Sequence, residues 1–368
     1  MKILMIGPFP GQISGMTIAN KMLYEGLLKN NDVTYINTDT DKKFADLKSQ
    51  GKVKITKIIA SFKPIIEGVS KIIFGGFDAI YITPAQSYLG FMKYTPFIKA
   101  AISKKKPCYI HFHGGFVRQM YDSVDKEKQA TLKRYFEMCD GVVVLGESLR
   151  TMFHGILDDK KVIVCENGVQ EEYLISEKQL EDKINYFKDN NEIRVLYLSN
   201  LMKTKGILEL LEAGKILKEK NIPFHIDLAG AIEEEIKESL DKLLKELDNN
   251  VTYHGLVKGE QKKELLRNTN IFCLPTYYPN EGQPISILEA MISGSAVVTT
   301  NQGGICDIFE DNINGVLCKV EKEDISESII KANKDYEKFA RSNYKIAMDN
   351  YSSKSFVTRV ENFLKKGK

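Results

Sequence analysis

The chain has 368 residues, 43% hydrophobic and 27% charged, with a formal net charge of +3, which are globular values in a length that suits two domains. No apolar run reaches the 18 or so residues of a spanning helix, and the six cysteines and five histidines form neither a Cys-x-x-Cys pair nor metal-ligand spacing. Spanning segments, structural zinc and a disulfide framework are thereby excluded. Without interleaved aromatic and basic residues or a recognisable motif, nucleic-acid binding is excluded as well.

Residues 1–6 read as a first strand running into Gly7, Pro8, Phe9, Pro10 and Gly11, not as a signal peptide. Further short apolar runs at 33–37, 79–82, 108–112, 142–145 and 162–165 alternate with helical patterns. A polar stretch over 170–191 interrupts them, and the grammar restarts at 195–199, 225–229, 251–254, 271–274, 296–299 and 316–318. The fold class expected is α/β, with two doubly wound parallel sheets. Domains are expected over 1–170 and 192–350, with a linker at 171–191 and a terminal helix at 351–368.

Charge is unevenly spread. Residues 1–165 hold 24 Lys and Arg against 15 Asp and Glu, a net of +9, which leaves −6 for the rest. Lys48, Lys52, Lys54, Lys57, Lys63 and Lys71 are opposed locally by Glu67 alone, and Lys104, Lys105 and Lys106 follow an apolar segment. Ile58, Phe62, Ile65, Ile66, Val69, Ile72 and Ile73 recur at helical spacing. Two readings stand open: a basic amphipathic helix on an anionic bilayer, or a core-facing helix with solvated lysines, interrupted by Pro64 and Gly68.

Glu281 and Glu289 have seven residues between them. Pro284 suits the first turn of a helix, where its missing N–H costs nothing. Gln283 is then the expected cap, and Glu289 lies about one and a half turns in. Glu289 is the only charge from 284 to 300. Burying it among Ile285, Ile287, Leu288, Ala290, Met291 and Ile292 requires partners that donate hydrogen bonds, and a sugar diol is one. Lys205, before Gly206, opens a helix, where a cation is awkward unless an anion neutralises it. His111 and His113 fall on one face of a strand end, with Gly114 and Gly115 leaving room beside His113.

This set resembles the retaining glycosyltransferases of family 4, whose Glu, seven residues, Glu motif is matched by Glu281 and Glu289, and the resemblance extends over most of the chain. It implies the GT-B fold, two Rossmann-like domains facing across a cleft. In such open sheets ligands bind beyond the carboxyl ends of the strands, which puts the expected site in that cleft. The resemblance gives the donor-sugar hydroxyls to Glu281, the nucleotide ribose to Glu289, the diphosphate to Lys205 and the sugar to His113, with His111 structural. Gly15, in the glycine loop after the first strand, faces the donor phosphates and acceptor. Gly282, Gln283, Pro284 and Ile285 complete the donor-binding set. Asn200 stands where many members have Arg, and Lys203 can substitute only in part. The backbone at His254 and Gly255 resembles the segment that meets the nucleobase. Thr276, Gly230, Gly303 and Gly304 flank the donor region.

Asp39 and Asp41 superficially match a metal-binding Asp-x-Asp, but they lie in a polar loop early in the chain. No metal or other cofactor is expected, since Lys205 and helix-terminal N–H groups can stabilise a leaving diphosphate. The expected activity is hexosyl transfer with retention, from a UDP- or GDP-linked sugar to a lipid-linked or saccharide acceptor. By analogy it serves bacterial cell-surface polysaccharide or glycolipid synthesis. The expected location is cytoplasmic, peripheral on the inner face of the membrane if the basic helix engages it. A nucleotide-sugar epimerase of the same architecture and a non-catalytic nucleotide-sugar-binding protein are the competing classes.

Overall fold

The computed structural model describes residues 1–10, 14–39, 55–190 and 192–366, with the backbone alone for 55–62. Gly11, Asp41, Lys48, Lys52 and Lys54, and the side chains of Lys57, Ile58 and Phe62, lie outside the described residues. The chain divides into two compact units, Met1–Asn167 with Ser353–Lys368, and Gly168–Ser352.

The first unit is built on β1 (Lys2–Gly7), β2 (Asp32–Asn37), β3 (Ala79–Ile82), β4 (Cys108–His111), β5 (Gly141–Val144) and β6 (Val162–Val164). All pairs are parallel and the order is β2-β1-β3-β4-β5-β6. Leu4 and Ile6 enter the core on one face while Ile3 and Met5 enter the core on the other. Burial on both faces is why these strands read as unbroken apolar runs. Ser14 caps the helix Gly15–Leu27 in a reciprocal box with Thr17, and the terminal helix Ser353–Lys366 packs against that helix.

The second unit carries β7 (Ile193–Leu198), β8 (Phe224–Ala229), β9 (Val251–Tyr253), β10 (Ile271–Leu274), β11 (Ala296–Thr299) and β12 (Gly315–Leu317). Its parallel order is β12-β11-β10-β7-β8-β9. The order reverses at β1/β3 in the first sheet and at β7/β10 in the second, and ligands of open parallel sheets bind outside the carboxyl ends of the strands at such switch points.

Three expectations are corrected. The stretch expected as a linker, 171–191, contains the helix Glu177–Asp189, capped by Ser176 and Gln179, which buries Leu180, Lys183, Ile184 and Phe187 in the second unit. Lys183 donates to Leu266 O (2.9 Å), Ser293 O (2.7 Å) and Ser295 Oγ (3.1 Å), which ties this helix to two others, and burial pushes its ammonium down to about 7. The basic helix is not interrupted: Ile55–Phe74 runs through Pro64, and Gly68 lies inward, where a Cβ would meet the Phe97 ring at 2.5 Å. The helix after Glu281 is Ile285–Ile292 with Pro284 as its cap, one residue later than expected, because Pro284 adopts an extended backbone.

The long helix has a core-facing side and an exposed one. Ile65, Val69 and Ile72 pack on the core, whereas Ile66 and Phe74 are 68% and 83% exposed. Among the described residues no helix is long and apolar enough to cross a membrane.

Candidate active site

In the second unit the loops leaving β7 and β10 dock on each other. Gly206 has φ +72°, and a Cβ there would lie 2.1 Å from the carbonyl oxygen of Pro275, so only glycine lets the chains approach. Tyr277 N donates to Thr204 O at 2.9 Å across the same contact. This brings Lys205 Nζ to 2.5 Å from Glu281 Oε2, which also accepts from Thr276 Oγ1 at 2.9 Å. The Lys205 ammonium lies 5.0 Å from the centre of the Tyr278 ring. Gly303 completes the floor with φ +54°, since a Cβ would come within 2.2 Å of the Glu281 carbonyl oxygen.

Lys205, Glu281 and Thr276 thus form one cluster, with Gly282 and Gln283 buried behind it and Ile285 opening the helix. The negative charge expected at Lys205 is supplied by Glu281 within the chain itself. Asn200 and Lys203 are exposed outside the cluster.

Glu289 lies in a second cluster. Its partner is Lys262, with Nζ 2.6 Å from Oε1 and 4.5 Å from the centre of the Tyr173 ring. A sugar diol is therefore not what compensates this buried carboxylate. Burial pushes the Glu289 carboxyl up, the Lys262 charge opposes the shift, and the charge of Glu172 adds to it. Lys262 and Tyr173 escape sequence reasoning, because a lysine between Glu260, Lys263 and Glu264 reads as solvated.

Gly230 and Gly255 come together through a 2.8 Å backbone hydrogen bond, while His254 Nε2 sits 2.8 Å from Asp227 Oδ1. A cavity of about 480 Å³ at Lys183, Arg194 and Arg267 lies by the amino ends of β7 and β10, and none of the expected site residues lines it.

In the first unit His111 ends β4, its Nδ1 2.6 Å from the Tyr81 hydroxyl, and its ring lies against that of His113 with centroids 4.2 Å apart. Burial lowers His111 well below the usual histidine range, with His113 adding to the shift. Burial lowers His113 to about 4, opposed by the nearby Asn167 amide. Neither His113 ring nitrogen has a partner of hydrogen-bond geometry among the described residues. An unmatched buried nitrogen costs about 1–3 kcal/mol, which a ligand hydroxyl would recover. The room expected at Gly114 holds Gln86, whose Nε2 would be 2.6 Å from a Cβ there. Gly15 is exposed at its helix start.

Residues 178–364 match the family model described as glycosyl transferases group 1. The chain belongs to this family.

An uncharacterized glycosyltransferase of Methanocaldococcus jannaschii is 27% identical over 67% of this chain and 63% of its own length. The capsular polysaccharide biosynthesis glycosyltransferase CapM of Staphylococcus aureus is 29% identical over 53% and 52%. The N,N'-diacetylbacillosaminyl-diphospho-undecaprenol alpha-1,3-N-acetylgalactosaminyltransferase of Campylobacter jejuni is 32% identical over 37% and 34%. The chain spans less than two thirds of the length of each of these relatives. Among solved structures, Anabaena HepE in complex with UDP-glucose superposes with a TM-score of 0.73 at 17% identity, covering 100% of both chains. A glycosyltransferase from Rickettsia africae gives 0.75 at 17%, covering 100% of this chain and 98% of that one. With its two six-stranded parallel sheets, this group 1 chain has the GT-B fold of two Rossmann-like domains.

Proposed function

We propose that the chain is a retaining, metal-independent hexosyltransferase of family 4 that moves a sugar from a UDP- or GDP-linked donor to an acceptor hydroxyl. The observation that carries this reading is the Lys205, Glu281 and Thr276 cluster at the carboxyl ends of β7 and β10, in a chain of the group 1 family. In the transfer the bond from the anomeric carbon to the diphosphate oxygen breaks and a bond to the acceptor oxygen forms. The acceptor proton passes to the leaving phosphate. Lys205 and the amides near Gly282 offset the charge that develops on the diphosphate, where fixed cations and dipoles act most strongly. Glu281 accepts hydrogen bonds from donor-sugar hydroxyls, and His113 in the first unit is kept neutral by burial, as suits an imidazole that binds a sugar hydroxyl.

Anabaena HepE structures that hold UDP and UDP-glucose support a uridine donor. The capsular and undecaprenol-diphosphate relatives support a surface polysaccharide or lipid-linked acceptor. Exposed Ile66 and Phe74 beside Lys63 and Lys71 support seating on an anionic cytoplasmic membrane face.

The test is transfer from UDP-glucose, UDP-N-acetylgalactosamine and GDP-mannose to a polyprenyl-diphosphate-linked sugar, with chelator present. Release of nucleoside diphosphate and the anomeric configuration of the product are followed. One donor should give a product of retained configuration, and Glu281→Ala should abolish it with the fold intact. An inverted product, or an active Glu281→Ala variant, would contradict the reading.

A further inference from the structure

The cavity of about 480 Å³ at the amino ends of β7 and β10 has the size of a small-ligand pocket, about 300–1,000 Å³. Lys205, Glu281 and Thr276 follow the carboxyl ends of the same strands. The six residues of β7, about 20 Å by the rise of a parallel strand, separate the two places. Lys183, Arg194 and Arg267 line the cavity against a single lining carboxylate, Glu192, which leaves a net of +2 on its wall.

Two of the three cations lack a close counter-charge. Lys183 is 7% exposed and spends its three N–H groups on two carbonyls and a hydroxyl, none of them an anion. An ammonium buried in this way is costly, and burial is what lowers it to about 7. Arg267 Nε is buried without a hydrogen-bond partner, and the guanidinium pairs only loosely, at 3.8 Å, with Glu260, a side chain 66% exposed. Arg194 is the paired one, holding Asp227 at 2.9 Å with Glu192 at 3.6 Å. Tyr186 and Phe187 add aromatic surface to the lining. The Tyr186 ring is 58% exposed and stands edge-on to Phe187, with centroids 5.0 Å apart.

We infer that this cavity is a second ligand site, for a phosphate monoester of sugar size, with Arg267 gripping the phosphate in the field of Lys183 and Tyr186 meeting the rest of the molecule. A phosphate dianion matches the net charge of the wall, and a planar guanidinium with N–H groups to spare suits two phosphate oxygens. Inorganic phosphate meets the same charges but leaves most of the volume to water. The site lies apart from the donor cluster, so it stands or falls independently of the donor reading.

The test is calorimetric titration of the full chain with glucose 6-phosphate, inorganic phosphate and glucose at low salt. It is repeated on Arg267→Gln, Arg267→Lys, Tyr186→Ala and Lys205→Met. Glucose 6-phosphate should bind one to one, and glucose should not bind. Arg267→Gln should weaken the monoester at least about tenfold, the value of a charge-assisted hydrogen bond, and Arg267→Lys should weaken it less. Tyr186→Ala should weaken the monoester and leave inorganic phosphate unchanged, whereas Lys205→Met should leave both unchanged. Inorganic phosphate binding as tightly as the monoester, with Tyr186→Ala silent, would overturn the monoester and leave the free anion as occupant. No binding of either phosphate, binding indifferent to Arg267→Gln, or binding lost in Lys205→Met would overturn the site itself.

Discussion

Breaking the Lys205–Glu281 pair from one side should damage the second unit, and removing both charges should largely restore it. The side chains are 13% and 7% exposed and the charged atoms 2.5 Å apart. Stranding one member of a fully buried pair costs about 3–5 kcal/mol. Here Thr276 still donates to the carboxylate at 2.9 Å, and the residual exposure admits water, so about 2 kcal/mol is expected for Lys205→Met. At about 2–4 °C per kcal/mol for a unit of this size, the melting transition should fall by about 4–8 °C. Lys205→Met/Glu281→Gln leaves a neutral amide on Thr276 and an apolar stem beside Tyr278. Its transition should lie nearer the parent than that of either single variant, so the coupling should exceed the larger single loss, about 2 kcal/mol. Calorimetry of the four proteins is the assay. Single effects that simply add, with no coupling, would refute the claim that this pair is one electrostatic unit.

Gly206→Ala should destabilise more than either single charge change, because it forces a Cβ to within 2.1 Å of Pro275 O at φ +72°. Urea denaturation should show a loss above about 2 kcal/mol, from the left-handed backbone and the clash together. The His113 imidazole, lowered to about 4 by burial, should stay neutral across the physiological range. Between its unfolded value near 6.5 and the folded one, the unfolded chain holds the extra proton, so stability is full above pH 6.5 and is lost as pH falls toward 4. That contribution should amount to about 3 kcal/mol and be missing in His113→Asn, in which the slope from buried His111 remains. A His113 resonance titrating near 6.5 in the folded protein would contradict it.

The twelve strands of the described residues can be read from the sequence, most clearly where burial on both faces leaves compact apolar runs such as 79–82 and 271–274. The helix Glu177–Asp189 cannot be read so easily: Leu180, Ile184 and Phe187 carry the helical period, but eight of its 13 residues are Glu, Lys, Asp or Asn, and Lys183 is buried where a lysine should not be. Motif spacing points to Lys205 and Glu281 in the second unit and to His113 in the first as candidates. It does not show that Lys205 and Glu281 satisfy each other, since that depends on Gly206 fitting against Pro275, a contact 69 positions away along the chain. Lys262 is hidden for a related reason: local charge alternation looks like a solvated face, and only packing on the turn at Tyr173 turns this lysine inward.

The most direct test of the donor-site claim is the thermal shift of the full chain with uridine and guanosine diphosphates and their sugars, in the presence of chelator. A ligand that binds only the folded protein at a hundred times its dissociation constant stabilises it by about 2.7 kcal/mol. The account predicts a selective upward shift with one nucleoside diphosphate family, retained in chelator and diminished in Lys205→Met relative to that variant's own baseline. No shift with any nucleotide or nucleotide sugar would contradict it.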